Sequence, residues 1–337
     1  MFFQELKGSL LSLPFESECL KNNFYNDPDK RNLIVYLPPG YEDGKEEYPL
    51  FMFLPAFWGT GLKMLNWEPF FENLPLRIDR LICKKKMGPI ICFFPDCFTA
   101  LGGNQYVDSE TLGPYSQYLN EELIPFALDN FRVRQNPESR VLFGNSSGGY
   151  GALFQAFTRP ESFGAILCSS GDMNFDSLLR RDFPTVVDIL AKYERSPKKF
   201  LEQFYKKSCK DGTDILVLFH FAVAASFDPR PDLELGFEYP VDLYTGEIDE
   251  KVYSRWLEYD PIHLVKKYAE NLKSLKGLFI ECGNRDEHFL HHGSRILHRH
   301  LEELKIIHHY EEFDAGHRGT AFRYDITLPW LYEKVSP

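Results

Sequence analysis

No stretch of this chain approaches the roughly 18 uncharged apolar residues that a membrane-spanning helix requires. The amino terminus is equally short of the marks of a secretory leader. Met1 to Leu20 carries Glu5, Lys7, Glu16 and Glu18, and has no basic start, continuous apolar segment or small-residue cleavage site. Basic charge is in deficit: 38 Lys and Arg stand against 49 Asp and Glu, a net charge of −11. That balance argues against nucleic acid or an anionic membrane surface as a partner. The seven cysteines (Cys19, Cys83, Cys92, Cys97, Cys168, Cys209 and Cys282) are odd in number, scattered, and mostly set inside apolar runs. They suit buried thiols of a reduced compartment better than a disulfide framework. Cys92 and Cys97 have no second pair with which to complete a zinc site. No internal repeat or low-complexity tract breaks the chain. The expectation is a cytoplasmic protein with no membrane or nucleic-acid partner.

What is present is a chain of 337 residues, 44% hydrophobic and 26% charged, long enough for one large α/β domain or two modest ones. Phenylalanine is plentiful at 30 residues, which points to an aromatic core or an apolar cleft. Short β-rich apolar runs alternate with longer amphipathic stretches, the pattern of a mostly parallel sheet covered by helices. Strands are predicted at Asn32–Leu37, Tyr48–Leu54, Pro89–Phe94, Ser139–Phe143, Gly164–Ser169, Leu278–Glu281 and Ile306–Phe313, the last mixed enough in polarity to lie near a sheet edge. Helices are predicted at Leu62–Cys83, Ser116–Phe131, Gly148–Thr158, Pro261–Leu272, Ser294–Leu304 and Ala321–Glu333. Leu37-Pro38-Pro39-Gly40 is a turn signal between the first two strands.

The rhythm breaks between Gly171 and Tyr259. Helical pieces (Thr185–Tyr193, Pro197–Lys207, Asp214–Ala225) give way to an irregular stretch, Phe227 to Gly246, rich in Pro, Asp and Gly. Residues 172–259 are too many for an ordinary crossover. They read as an insertion over the carboxyl edge of the sheet, where α/β enzymes bind ligands.

The most informative segment is Arg140-Val141-Leu142-Phe143-Gly144-Asn145-Ser146-Ser147-Gly148-Gly149. An apolar strand drives into Gly-x-Ser-x-Gly, and small residues of helical character follow. In a nucleophile elbow the turn is so tight that only glycines fit beside the serine, which is pushed into the open on a strained backbone. Ser146 is the expected nucleophile. A frame centred on Ser147 is poorer, because Asn145 is bulkier than Gly144.

Acyl transfer needs a base for the serine proton and an acid to orient and charge-balance that base. On this architecture they follow in the order acid, then histidine, each at the end of a strand. Gly277–Gly283 reads as a strand and runs into Asn284-Arg285-Asp286, which makes Asp286 the candidate acid, with Glu287 and Asp314 as competitors. Of ten histidines, His317 alone follows a late strand in the right order, in Asp314-Ala315-Gly316-His317. His308 and His309 are expected within that strand, one on each face. His291, His292, His298 and His300 fall in or beside a helix. His288 and His292 have the i, i+4 spacing of zinc ligands, but no carboxylate or cysteine set accompanies them, so no metal is expected. The oxyanion hole needs two backbone N–H groups. Ser147 supplies one, and the loop Pro55-Ala56-Phe57-Trp58-Gly59 the other, from Phe57 first or Ala56 second, since Pro55 has no N–H. Trp58 and Tyr150 are the expected substrate contacts.

These residues resemble the α/β-hydrolase branch that contains esterase D (S-formylglutathione hydrolase), tributyrin and feruloyl esterases, and the mycolyltransferases. The carrying segments are Gly102-Gly103-Asn104-Gln105-Tyr106, Glu121-Glu122-Leu123-Ile124-Pro125, Gly144–Ala152, Cys282–Asp286 and Gly316-His317. The resemblance implies a single α/β-hydrolase domain over residues 1–337. It implies a serine hydrolase that acts on a small-molecule ester through Ser146, Asp286 and His317, with no metal or cofactor. Thioester hydrolysis and acyl transfer are the alternatives on the same residues, and a non-catalytic binding protein on the same fold is a third. The chain departs from the pattern twice: Pro55-Ala56 stands where relatives often carry His-Gly, and the 172–259 insertion is longer than in compact members.

Overall fold

A computed structural model describes residues 5–336; residues 1–4 and 337 of the expected 1–337 span lie outside the described residues. An eight-stranded sheet forms the centre. Its strands are β1 (Ser9–Glu16), β2 (Lys30–Leu37), β3 (Leu50–Leu54), β4 (Ile91–Phe94), β5 (Arg140–Asn145), β6 (Ala165–Ser169), β7 (Gly277–Gly283) and β8 (His309–Phe313). They lie in the order β1-β2-β4-β3-β5-β6-β7-β8. β1 and β2 pair antiparallel with their neighbours, and every pairing from β4 through β3 to β8 is parallel.

The central strands carry continuous apolar runs because helices cover both faces. Side-chain parity then divides them between two cores. Val35, Met52, Leu142, Ile166 and Ile280 face one core, while Ile34, Phe51, Phe53, Val141, Phe143, Leu167 and Phe279 face the other. Helices α1 (Leu74–Cys83) and α5 (Tyr324–Val335) close the second core. Helices α2 (Ser147–Thr158) and α3 (Gly212–Phe227) contribute to the first, as does α4 (Leu290–Glu303). Much of the phenylalanine is spent here: Phe53 meets Phe143 at 5.3 Å between ring centroids and Phe94 at 6.1 Å.

Several boundaries differ from expectation. β1 was not foreseen; it holds Pro14 and alternates half-buried with exposed residues, as an edge strand paired only with β2 can. The long helix expected at Leu62–Cys83 is a short 3-10 turn at Leu62–Leu65 followed by α1. Pro69 bars the preceding residue from helical geometry, Phe70 takes φ +66°, and the Asn73 side chain starts a fresh helix by accepting from the Leu76 N–H. The helix expected at Pro261–Leu272 breaks at Tyr268 into Pro261–Lys267 and Ala269–Lys273. α4 begins at Leu290, ahead of the expected Ser294. β8 begins at His309, so His308 precedes the strand, with its Nε2 2.7 Å from His298 Nδ1.

The 172–259 segment holds α3, three further helices of eight to ten residues (Phe183–Ala191, Pro197–Lys206, Glu250–Leu257) and an irregular stretch between α3 and the last of these. α3 is apolar on nearly every side and mostly buried, and Asp211 caps its start by accepting from the N–H groups of Thr213 and Asp214. No described helix is long and apolar enough to cross a membrane.

One buried ion pair ties the sheet to the segment before α5. Arg323 Nε donates to Glu281 Oε2 at 2.8 Å, and Ser169 Oγ donates to the other Glu281 oxygen at 2.9 Å. Removing one partner strands a charge without water. Arg323→Ala should therefore lower unfolding free energy by about 3–5 kcal/mol in urea titrations. A loss below about 1 kcal/mol would mean that water reaches Glu281.

Candidate active site

At the carboxyl end of β5 the chain turns directly into α2. Ser146 occupies that junction at φ 54°, ψ −129°, a conformation that is strained for any residue with a side chain. The flanking glycines are required by close approach. A Cβ on Gly144 would lie 2.6 Å from the Leu54 carbonyl oxygen, and one on Gly148 only 2.0 Å from it. The strained residue is thus Ser146, whereas Ser147 is fully buried as the first residue of α2.

β7 and β8 deliver the other two residues. His317 Nε2 stands 3.1 Å from Ser146 Oγ, and His317 Nδ1 stands 2.7 Å from Asp286 Oδ2. The other oxygen of Asp286 accepts the His288 N–H at 2.8 Å. Burial opposes charge on Asp286, yet the bond and field of His317 outweigh it and hold the carboxyl below the usual carboxylate range. The competing acids have other partners. Glu287 accepts the backbone N–H of His317 at 2.7 Å, which fixes the histidine loop, and Asp314 pairs with Arg285 in solvent. The His288 ring meets that of His317 edge-on at 4.6 Å, and its basicity is lowered by burial first and by the His317 charge second. Among the described residues no group of three His, Cys, Asp or Glu side chains is arranged to hold a metal ion.

In the loop after β3 the Trp58 N–H donates to the Gly102 carbonyl at 2.9 Å, and the Gly59 N–H to the Ala56 carbonyl at 2.9 Å. Among the described residues, the N–H groups of Ala56, Phe57 and Ser147 have no acceptor. The aromatic pair of that loop faces the insertion: Phe57 meets Phe219 of α3 at 5.1 Å, and Trp58 meets Phe204 at 6.1 Å. Tyr150, expected as a substrate contact, is instead fully buried. Its ring lies among Phe154, Phe175 and Phe227, and its hydroxyl donates to the Tyr259 carbonyl at 3.0 Å. It braces α2 against the end of the insertion.

The structure also brings in two residues to which sequence reasoning assigned no role. Asp172, just past β6, is buried with Oδ2 accepting from Ser147 Oγ at 2.7 Å, and Gln105 Nε2 donates to the same Ser147 oxygen at 3.1 Å. The available signal was position: Ser169-Ser170-Gly171-Asp172 places a carboxylate just beyond a strand end, like Asp286.

A family model described as "Putative esterase" matches residues 28–328. Over 134 residues the chain is 31% identical to an endo-1,4-beta-xylanase/feruloyl esterase of Xylanibacter ruminicola, a match covering 39% of this chain but only 18% of that protein's length. Among solved structures, a ferulic acid esterase superposes with TM-score 0.62 at 16% identity, covering 98% of this chain and all of the other. An S-formylglutathione hydrolase from Agrobacterium tumefaciens superposes with TM-score 0.59 at 18% identity, covering 99% and 98%. With its mostly parallel sheet and its family match over most of the chain, the protein belongs to the putative esterase family and has the α/β-hydrolase fold.

Proposed function

We propose that the protein is a serine carboxylesterase that cleaves a small-molecule ester through an acyl-enzyme. The observation that carries this reading is the continuous relay from a strained serine, with Ser146 Oγ 3.1 Å from His317 Nε2 and His317 Nδ1 2.7 Å from Asp286. Ser146 Oγ attacks the ester carbonyl carbon as His317 Nε2 takes its proton, and Asp286 stabilises the imidazolium. The N–H groups of Ser147 and Phe57 receive the oxyanion. The C–O bond to the leaving alcohol then breaks as His317 returns the proton to that oxygen. Water repeats the sequence on the acyl-enzyme, releasing the acid and regenerating Ser146.

Residues 172–259 act in this reading as a cap, part of the same domain. Phe219 and Phe204 press on the loop that carries Phe57 and Trp58, so the walls available to an acyl group are aromatic. An apolar or aromatic acyl group suits such walls, in keeping with the feruloyl esterases among the similar proteins.

The test is a panel of initial rates on short and long nitrophenyl esters, a feruloyl ester and S-formylglutathione, with Ser146→Ala as the blank. A steep preference that depends on Ser146 supports the carboxylesterase and names its acyl group. Preference for S-formylglutathione assigns thioester cleavage by the same residues, and product transfer to added alcohols assigns acyl transfer. Negligible rates throughout, together with failure of a fluorophosphonate to label Ser146, would leave a non-catalytic protein on this fold.

A further inference from the structure

The Ser146 hydroxyl has a second close neighbour that the relay leaves unused. Asp172 Oδ1 lies 3.5 Å from Ser146 Oγ, which is itself 3.1 Å from His317 Nε2. Carboxylate and imidazole are therefore no more than about 7 Å apart, close enough for two charges in a site largely closed to water to couple. The carboxylate is held in place. Gln105 donates to Ser147 Oγ, and Ser147 Oγ–H donates to Asp172 Oδ2, in a chain whose three members are at most 4% exposed.

Among the described groups that act on this carboxylate, His317 is the one whose side chain can take up a positive charge. Ser147 and Tyr150 approach from α2, Cys168 from β6, Gln105 from its own loop, and Asp286 acts on it from beyond β7. Burial keeps the Tyr150 phenol and the Cys168 thiol neutral by pushing both well above their usual ranges. His317, in turn, is faced by Asp286, by Glu287 through its backbone, and by His288. Beyond His288, Arg181 of the insertion lies over the Phe289 ring at 4.4 Å.

We propose that Asp172 is a positioning residue of the esterase centre, a second counter-charge that acts across Ser146 to favour the His317 imidazolium as the serine proton is transferred. This rests on the reading of Ser146 as nucleophile and His317 as base. Asp286 supports the imidazolium at Nδ1, and Asp172 supports it from beside the serine oxygen. The coupling is reciprocal. Burial raises the Asp172 carboxyl to about 6, against the opposing pull of the Ser147 bond and of the His317 charge. If a charge on His317 favours the carboxylate, the carboxylate must favour that charge equally.

The experiment is the rate of Ser146 labelling by a fluorophosphonate across pH, for the wild type and Asp172→Asn, a probe that needs no knowledge of the natural ester. With the carboxylate gone, His317 holds a proton less firmly. The acid limb of the labelling profile should then move to lower pH by about half a unit, and the plateau rate should fall by about tenfold. A lowered plateau with an unmoved acid limb reduces Asp172 to a packing residue and overturns the inference. A wild type that fails to label overturns the serine reading itself and this inference with it, so the two failures are distinguishable. Should Asp172→Asn not fold, carboxyl 13C NMR of the wild type takes its place. The Asp172 resonance must then register the protonation of His317 as well as its own, and a resonance blind to His317 rejects the proposal.

Discussion

Ser146→Ala should lower kcat/KM on the best ester of the panel by about 10⁵–10⁶, or roughly 7–8 kcal/mol of transition-state stabilisation. On the proposed mechanism the substitution deletes the atom that forms the acyl bond. The backbone donors near it remain, so a residual acceleration of about 10³–10⁴ over water is expected to persist. The fold should tolerate the change, because Ser146 packs no core and its side chain caps no helix. Thermal unfolding should shift by no more than a few degrees, the mark of about 1 kcal/mol or less. Activity within tenfold of wild type, in protein with an unchanged unfolding transition, would remove Ser146 from the mechanism.

Asp286→Asn should cost about 10⁴ in kcat, for a different reason. His317 Nδ1 lies 2.7 Å from Asp286 Oδ2, so an ionised Asp286 requires the histidine to carry its proton on Nδ1 and leaves Nε2 free to accept from Ser146. An asparagine amide can present an N–H in place of that oxygen. The proton then moves to Nε2, where it faces the serine and blocks acceptance. Loss of the negative charge adds to the effect, since the imidazolium forms without its nearest counter-ion. Asp172 cannot take over this task, because it approaches the serine oxygen while Asp286 holds the far nitrogen of the ring. Stopped-flow labelling by a fluorophosphonate should slow in parallel with kcat. An Asp286→Asn protein with labelling and turnover both within tenfold of wild type would pass the acid role to another carboxylate. Glu287 would be the first to examine, since it already contacts the histidine backbone.

The parts of this molecule that were readable before folding share one property: their signal is carried by neighbours in the chain. β3, β5, β6 and β7 announce themselves by apolar stretches (Leu50–Leu54, Val141–Phe143, Ala165–Cys168 and Leu278–Ile280) because both faces of the sheet are covered, so no polar alternation interrupts those stretches. The elbow is legible for a related reason. Gly144 and Gly148 are demanded by a backbone approach to Leu54, and that demand leaves no choice of residue type. β1 escaped notice because an edge strand tolerates Pro14 and needs only one apolar face. The break between Leu65 and Leu74 was likewise hidden by a helical spacing of apolar residues that Pro69 and the Asn73 cap override.

Order along the chain was enough to nominate Ser146, Asp286 and His317, because strand ends on one edge of a parallel sheet converge whatever lies between them. Tertiary structure alone decided what surrounds them. Tyr150 follows the elbow so closely that it was assigned to the substrate, yet α2 turns its ring into the core and Tyr259 takes its hydroxyl. Glu287 and Asp286 are adjacent in sequence, but only their directions in space make one a partner of the imidazole and the other a clasp on the backbone. Asp172 sits in a run of small residues like many others, and its meaning depends on Gln105 and Ser147 arriving from distant segments to bury it beside the serine. The chemistry a residue could perform was therefore set by its type and its place at a strand end. Its actual neighbours, and with them its burial and charge, came from contacts between segments that no local pattern encodes.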